Sequence, residues 1–257
     1  MEEFGTLSHD AVINFVGVGD PALASAAGST IFGITAGADG MVLKYLDQHP
    51  ECRYFFMSSG AAYGAAFAKP VGSESPAMFP INRLEQQDWY GAAKFHAECL
   101  HRARPAQAIF DIRVFNYISP AQDLGSRYLI ADALRAVRDQ TVLLTSPENI
   151  VRDYLHPDDF QRLVLALLSA PAANLPLDCY TRKAADKLSI LEALKDNFGL
   201  RYEIADSAVG INATGNKQCY YSENRVASAY GYEPGWSSLD GVLDVSHRIL
   251  SRAGVSP

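Results

Sequence analysis

Tyr90 and Lys94 form the first pair of residues in this chain whose types and spacing suggest chemistry. They lie in residues 89–100, an alanine-rich run without proline that predicts a helix. Residues four apart share a helix face, so the phenol and the ammonium are expected to point the same way. A neighbouring cation lowers the pKa of a phenol and makes it a proton donor and acceptor near neutral pH. Tyrosine and lysine pairs that are simply solvated have the same spacing, so the segments on either side must show whether this pair is functional.

Polar residues follow the two predicted strands on either side of this helix. Ser58 and Ser59 end a strand over residues 53–58, and Asn116 follows a strand over 109–115. The carboxyl ends of parallel strands meet at one sheet edge, where ligands bind in doubly wound folds. Ser59, Tyr90 and Lys94 converging there would make a carbonyl reduction site. The phenol would move a proton, the hydroxyl would hold the substrate oxygen, and a nicotinamide would carry the hydride.

The elements that must position these residues alternate along the chain. A β-rich run at 11–18 is followed by a helix at 29–49, the strand at 53–58, the helix that carries Tyr90, and the strand at 109–115. This order predicts a parallel sheet connected by helical crossovers. The expected fold class is α/β, with a Rossmann-like parallel sheet, helices on both faces and a smaller mixed C-terminal lobe.

Beyond Asn116 the alternation is less regular. Helices are predicted at 126–138, 158–170, 188–198, 222–230 and 238–252, and extended segments at 141–145, 150–155 and 176–180. We predict a partial dinucleotide-binding domain over residues 1–120, with 141–180 partly interleaved, and a substrate-binding lobe over 121–257.

Composition excludes several other classes of protein. The 257 residues are 48% hydrophobic and 20% charged, as expected for one large soluble domain or a domain with an added lobe. A net charge of -7 argues against nucleic acid as a partner. The four cysteines include no Cys-x-x-Cys pair, so we expect no metal site and no disulfide framework, and a reducing cytoplasm. No apolar run is long enough to span a bilayer, and we see no signal peptide.

Four motifs in order resemble those of one family. They are Phe56-Met57-Ser58-Ser59-Gly60-Ala61-Ala62-Tyr63-Gly64, Tyr90-Gly91-Ala92-Ala93-Lys94, Arg113-Val114-Phe115-Asn116, and Val151-Arg152-Asp153-Tyr154-Leu155-His156-Pro157-Asp158-Asp159. The chain resembles the extended short-chain dehydrogenases/reductases, and more narrowly the NAD-dependent epimerase/dehydratase group that acts on nucleotide sugars. The resemblance implies NAD or NADP as cofactor and a nucleotide-diphosphate sugar as substrate.

The resemblance also implies roles for particular residues. The catalytic set is Ser59, Tyr90 and Lys94. The cofactor would contact Phe15, Val16, Gly17, Ser58, Tyr90, Lys94 and Phe115, and the substrate would contact Ser59, Asn116 and Arg152. Simpler alternatives stay open: Ser59 only ends a strand, Asn116 caps a turn, and Arg152 forms an internal ion pair with Asp153. His96 and His156 are expected to be structural.

The family's glycine-rich opening has no good match here. Residues 16–22 fit Gly-x-Gly-x-x-Ala, but the strand that follows, at 53–58, ends in serine and not in the acidic residue that grips a ribose. We therefore prefer to assign 11–17 as the family's fourth strand, directly before the strand that ends at Ser59. The adenine side of the cofactor site is then missing and a sheet edge is exposed, which a homodimer or another subunit would have to cover.

Two classes of function follow. The first is a nucleotide-sugar epimerase or 4-keto reductase that uses a Ser-Tyr-Lys site. Gly60 and Ala61 stand where the family's dehydratases carry an Asp-Glu pair, so dehydration is disfavoured. The second is a truncated, cofactor-less module that binds nucleotide sugars or a protein partner without catalysis.

Overall fold

The structure is a computed structural model that describes residues 5, 7–18, 24, 26–205 and 217–254. Its helices are α1 (Thr30–Leu46), α2 (Gln86–Arg102), α3 (Leu129–Arg138), α4 (Pro157–Ser169), α5 (Lys187–Phe198) and α6 (Ser238–Arg252). Its strands are β1 (Ala11–Asn14), β2 (Arg53–Ser59), β3 (Ile109–Val114), β4 (Asn116–Tyr117), β5 (Val142–Thr145), β6 (Val151–Arg152), β7 (Tyr154–Leu155), β8 (Asn174–Asp178), β9 (Ala185–Asp186), β10 (Arg201–Ile204) and β11 (Cys219–Tyr220).

The main sheet is parallel, with the strand order β1-β2-β3-β8. This confirms the expected α/β class. In the register, Ser59 at the end of β2 lies beside Val114 at the end of β3, so both strand ends open at the same edge. β1 pairs with β2, as predicted for a strand directly before the one that ends at Ser59. Within the described residues β1 is an outer strand of this sheet.

Helices cover both faces of the sheet because its central strands carry apolar side chains on both sides. On one face, Tyr54 and Phe56 of β2 pack against α1 and α2. On the other face, Phe55 of β2 and Phe110 of β3 pack against Leu163 and its neighbours in α4. This two-sided packing is the predicted Rossmann-like arrangement.

The C-terminal lobe has its own apolar core, formed mainly by α3, α5 and α6. β6 pairs with β11 on one side and with β9 on the other, and so joins the lobe to the rest of the chain. β4 pairs with β7. β8 belongs to the main sheet, although it lies late in the chain. No helix among the described residues is long and apolar enough to cross a membrane.

Two local predictions differ from the structure. The strand predicted at 11–18 ends at Asn14, because the side chain of Asn14 accepts a hydrogen bond from the amide of Val16 and turns the backbone away from the ladder. The helix predicted at 222–230 is only a short 3₁₀ helix, Val226–Tyr230, followed by Gly231 in the left-handed region. Residues 19–22 of the glycine-rich match lie outside the described residues.

Candidate active site

The turn after β2 places Ser59 against the helix that carries Tyr90. Ser59 caps a 3₁₀ helix, Gly60–Tyr63, and its Oγ accepts a hydrogen bond from the amide of Ala61 at 3.1 Å. A Cβ on Gly91 of α2 would lie 2.4 Å from the carbonyl oxygen of Ala61, so only glycine permits this approach. α2 itself begins with a reciprocal capping box between Glu85 and Asp88.

Ser59 and Tyr90, the pair expected to handle a substrate oxygen, are close enough for the serine hydroxyl to influence the pKa of the phenol. Burial raises the pKa of Tyr90 above its usual value, and the hydrogen bond with Ser59 offsets part of that rise. The sequence had predicted a pKa lowered by Lys94. That direction is wrong for this arrangement, because the loss of solvation outweighs the other effects on the phenol.

Lys94 lies on the same side of α2 as Tyr90, with its Nζ 5.9 Å from the centroid of the Tyr90 ring. The ammonium is buried; it donates a hydrogen bond of 2.7 Å to the carbonyl of Met57 and lies 4.4 Å from the centre of the Phe56 ring. Burial lowers the pKa of Lys94 to about 8, although nearby carboxylates oppose this. A Cβ on Gly17 would lie 3.2 Å from the Nζ, so this ammonium reaches the end of β1.

Tyr220 of β11 also reaches this site, and sequence reasoning missed it. Its hydroxyl lies 3.4 Å from Ser59 Oγ, although 161 residues separate the two in the chain. The ring is buried against Phe67 and Phe115, with centroids 4.7 Å and 5.3 Å away. No motif singled out this tyrosine, because only the pairing of β11 with β6 brings it here.

Phe115 lies over the turn that carries Ser59. A Cβ on Gly60 would be 2.4 Å from Cδ1 of the Phe115 ring, so glycine is required for this contact. The family resemblance implies that Phe115 packs near a nicotinamide. The structure places it between this turn and Tyr220, within reach of the same group of hydroxyls.

Two cations flank the ring of Tyr220. The guanidinium carbon of Arg152 lies 5.7 Å from the ring centroid, and Nζ of Lys217 lies 4.8 Å from it. Burial and the charge of Arg152 lower the pKa of Lys217 to about 8. The carboxylate of Asp153 accepts hydrogen bonds from the backbone amide of Thr181 and from the hydroxyl of Ser238, and both of these donors are uncharged.

Other expected site residues lie elsewhere or are engaged in the fold. Ser58 Oγ donates to Glu98 Oε1 at 2.5 Å, within a buried network of Glu98, Arg113 and Asp178. Asn116 Nδ2 donates to the carbonyl oxygen of Asp153 at 3.1 Å, a contact that links β4 to the chain before β7. The structure therefore brings Ser59, Tyr90, Lys94, Phe115 and Arg152 into one region, and turns the side chain of Ser58 away from it.

Phe15 and Val16 follow β1 at its carboxyl end. Their side chains are 65% and 50% exposed, and the Phe15 ring meets that of Phe160 edge-on at 6.1 Å. Phe15 and Val16 also line a groove beside β1, together with Val12 and Asn14 and with Met41 of α1. The outer strand thus has accessible apolar surface beside it.

The sequence model of the family described as NAD dependent epimerase/dehydratase matches residues 1–181. The chain belongs to this family. Its members are NAD-dependent enzymes, as the motifs led us to expect. A comparison with curated protein sequences finds no match.

Solved structures share the fold over almost the whole chain. UDP-glucose 4-epimerase of Thermotoga maritima with UDP-glucose has a TM-score of 0.80 at 17% identity, covering 98% of this chain and 80% of that one. UDP-glucose 4-epimerase of Brucella ovis with NAD has a TM-score of 0.79 at 18% identity, covering 99% and 81%. RMD of Pseudomonas aeruginosa with NADPH has a TM-score of 0.76 at 21% identity, covering 95% and 82%. At these identities the likeness shows the fold alone.

The residues present fit one end of a nicotinamide dinucleotide. The buried ammonium of Lys94 lies beside Gly17 and offers a hydrogen-bond donor at the carboxyl end of the sheet. The phenol of Tyr90 lies one helical turn away and offers a group that can carry a proton. The strands that would hold the adenine end are not among the described residues, where β1 is outermost.

Proposed function

We propose that this chain interconverts a hydroxyl and a ketone on a nucleotide-diphosphate sugar, as an epimerase or a 4-keto reductase, with NAD or NADP. The observation that carries this proposal is the close approach of the Ser59 turn to α2 at Gly91, which sets Ser59 beside Tyr90, with the buried ammonium of Lys94 on the same side of the helix. A Ser, a Tyr and a Lys in this arrangement suit proton transfer at a carbonyl oxygen.

The chain's own residues supply proton handling and orientation. A nicotinamide, when bound, accepts or returns the hydride. Tyr90 takes the proton from the sugar hydroxyl, or returns it, and Ser59 holds the same oxygen by a hydrogen bond. Lys94 supports the ionised phenol and offers a donor to a ribose. Gly60 and Ala61 bring no carboxylate to this turn, so elimination of water has no acid or base there.

Arg152 and Lys217 support the assignment of a diphosphate as the binding group of the substrate. Both cations lie beside Tyr220, next to the hydroxyls that would face the sugar. Arginine binds phosphate through two parallel hydrogen bonds, and lysine adds a point charge. UDP-glucose, the ligand of one structural relative, is therefore the first substrate to test.

The test combines binding and turnover of the purified chain. We expect NAD(H) or NADP(H) to raise the melting temperature with saturation, and UDP-glucose to be converted. Tyr90→Phe should lower turnover about 100-fold and change cofactor binding far less, because the phenol that moves the proton is lost while the ring remains. Tyr202→Phe, which removes a hydroxyl in the C-terminal lobe, is the matched control. Absence of any dinucleotide binding would contradict the enzymatic proposal.

The second candidate is a cofactor-less module that binds a nucleotide sugar. The observation that favours it is the outer position of β1, beyond which the described residues supply no strand for an adenosine. In that case UDP-glucose would stabilise the chain and NAD would have no effect. Arg152→Gln should then abolish the stabilisation, and an unchanged response would count against this candidate.

A partner that covers the outer edge of β1 also stays part of the proposal. Unpaired strand edges with apolar flanks favour association. A second copy of the chain is the partner to test first, by light scattering after size-exclusion chromatography. A monomer at every concentration would contradict the homodimer. A cytoplasmic location stays a prediction.

A further inference from the structure

Two successive residues of β2 are bound by residues that lie one turn apart on α2. Nζ of Lys94 donates a hydrogen bond of 2.7 Å to the carbonyl oxygen of Met57. The next residue of the strand, Ser58, donates from its Oγ to Oε1 of Glu98 at 2.5 Å. Residues four apart share a helix face, so the two contacts together fix one turn of α2 against the strand.

The carboxylate of Glu98 is buried and held on both of its oxygens. Arg113 of β3 donates from Nε to Oε1 at 3.0 Å and from Nη2 to Oε2 at 2.5 Å. The same guanidinium continues to the hydroxyl of Tyr63 at 2.8 Å and to a carboxylate oxygen of Asp178 at 3.4 Å. Moving the Glu98 side chain would leave a buried charge unpaired, so its position is fixed.

The ammonium of Lys94 is also buried, but it has no direct ion-pair partner among the described residues. Burial lowers its pKa to about 8, and the charges of Asp39 of α1, Glu98 of α2 and Asp111 of β3 oppose this from a longer range. β2 faces the ammonium with a carbonyl group and an aromatic ring, which carry no charge. The ring of Tyr90 lies 5.9 Å from Nζ. The protonated state of Lys94 therefore depends on these three carboxylates.

We infer that Glu98 is a positioning residue, which holds the turn of α2 that carries Lys94 against β2 and places a fixed negative charge near the Lys94 ammonium. Of the three carboxylates, Glu98 is the one that binds β2 directly beside the residue that Lys94 binds. It thereby couples the place of the ammonium to its charge. The inference rests on the proposed function, in which a charged Lys94 supports the ionised phenol of Tyr90. Glu98 acts in that function through Lys94 and without contact with the reacting atoms.

The direct test is the titration of Lys94, followed by NMR of the full chain labelled with ¹³C at lysine Cε, with Lys94→Arg used to assign the resonance. Glu98→Gln keeps the size of the side chain and an acceptor for Ser58, but it removes the charge. The titration midpoint of Lys94 should fall by about 0.5–1 pH unit, because a buried ammonium loses a charge that favours it. An unchanged midpoint overturns the inference.

Asp178→Asn is the matched control for loss of a buried carboxylate. Asp178 lies on β8 and contacts the same guanidinium of Arg113, but it is not one of the carboxylates that act on Lys94. This variant should leave the Lys94 midpoint within about 0.2 pH unit of the wild type. Glu98→Asp keeps the charge and should retain the wild-type midpoint to within about 0.3 pH unit. An equal fall in Asp178→Asn or in Glu98→Asp overturns the inference.

A double variant covers the case in which Glu98→Gln does not fold, since that change leaves the buried Arg113 without its main partner. Glu98→Gln combined with Arg113→Met removes both charges, and neutral replacement of a buried ion pair is often tolerated. Arg113 is not among the charges that act on Lys94, so the midpoint should still fall, by about 0.5 pH unit. A wild-type midpoint in the double variant overturns the inference.

Kinetics add a readout that packing alone would not give. Loss of the Glu98 charge should move the alkaline limb of the pH profile of kcat to lower pH, because Lys94 loses its proton sooner. Turnover of UDP-glucose by Glu98→Gln should be about threefold lower at pH 8 and close to the wild-type value at about pH 6.5. An equal loss at both pH values contradicts the inference. If the wild-type chain turns over no nucleotide sugar, the proposed function fails, and the titration of Lys94 still decides whether Glu98 acts on it.

Discussion

Two glycines let parts of the candidate site approach each other closely, because a glycine has no Cβ. Gly60 and Gly91 each leave room for a group that a Cβ would strike, the Phe115 ring in one case and the carbonyl of Ala61 in the other. Both positions therefore matter for contact distance and not for backbone conformation. Both glycines lie in the sequence motifs. The groups that exclude a Cβ at these positions, however, lie far away in the chain or on another element.

Gly60→Ala should destabilise the protein and disturb the site. The added Cβ would lie 2.4 Å from the Phe115 ring, so the ring or the turn must shift. We expect a loss of about 1–3 kcal/mol in the free energy of unfolding, as for other overpacked positions. Urea denaturation measures it. Gly72→Ala is the control, since nothing lies within 4 Å of its Cβ, and an equal loss there would contradict the steric explanation.

At the scale of elements, α2 is the helix on which the candidate site depends. It carries Tyr90 and Lys94 toward the strand ends, and Glu98 toward Arg113 beneath them. Its opening is fixed by a capping box, and its contact with the Ser59 turn by Gly91. α1, by contrast, has three glycines on its exposed side, each with open space around a Cβ. The two helices therefore respond differently to the same substitution.

Gly37→Ala in α1 should stabilise the protein by about 0.5–1 kcal/mol. Glycine in an exposed helix interior costs about this much relative to alanine, and no atom lies within 4 Å of the added Cβ. Gly91→Ala in α2 is the matched substitution and should destabilise, because its Cβ would lie 2.4 Å from the carbonyl oxygen of Ala61. Urea midpoints that move in the same direction for both would contradict this assignment.

At the scale of the whole molecule, a buried polar network ties the layers of the sandwich together. His101 of α2 lies between Asp39 of α1 and Asp111 of β3, with distances of 2.8 Å and 2.5 Å. Tyr54 of β2 donates to Asp39, and Asn14 of β1 donates to Tyr54. Burial opposes a charge on His101, but its hydrogen bonds with the two carboxylates and their charges outweigh it and raise the pKa to about 9.

Stability should therefore fall as the pH rises through about 9. The pKa of His101 is raised on folding, so its contribution is complete below the unfolded value of about 6.5 and is lost as the imidazolium deprotonates. We expect a loss on the order of 2 kcal/mol between pH 6.5 and pH 9.5, measured by urea denaturation. His101→Gln should be less stable at pH 6.5 and show a flatter profile. A variant that keeps the wild-type slope would assign the effect to other groups.

The family resemblance led us to place β1 beside β2. Local patterns were enough to predict the alternation of strands and helices, the parallel sheet, and the convergence of Ser59 with Tyr90. These features follow from apolar periodicity and from the rule that parallel strand ends share an edge. The sequence could not reveal Tyr220 beside Ser59, the engagement of Ser58 with Glu98, or the direction of the Tyr90 pKa shift. Each of these depends on burial and on partners distant in the chain. Only the packing of the lobe against the sheet brings Tyr220 to Ser59, and only burial in the folded chain raises the pKa of Tyr90.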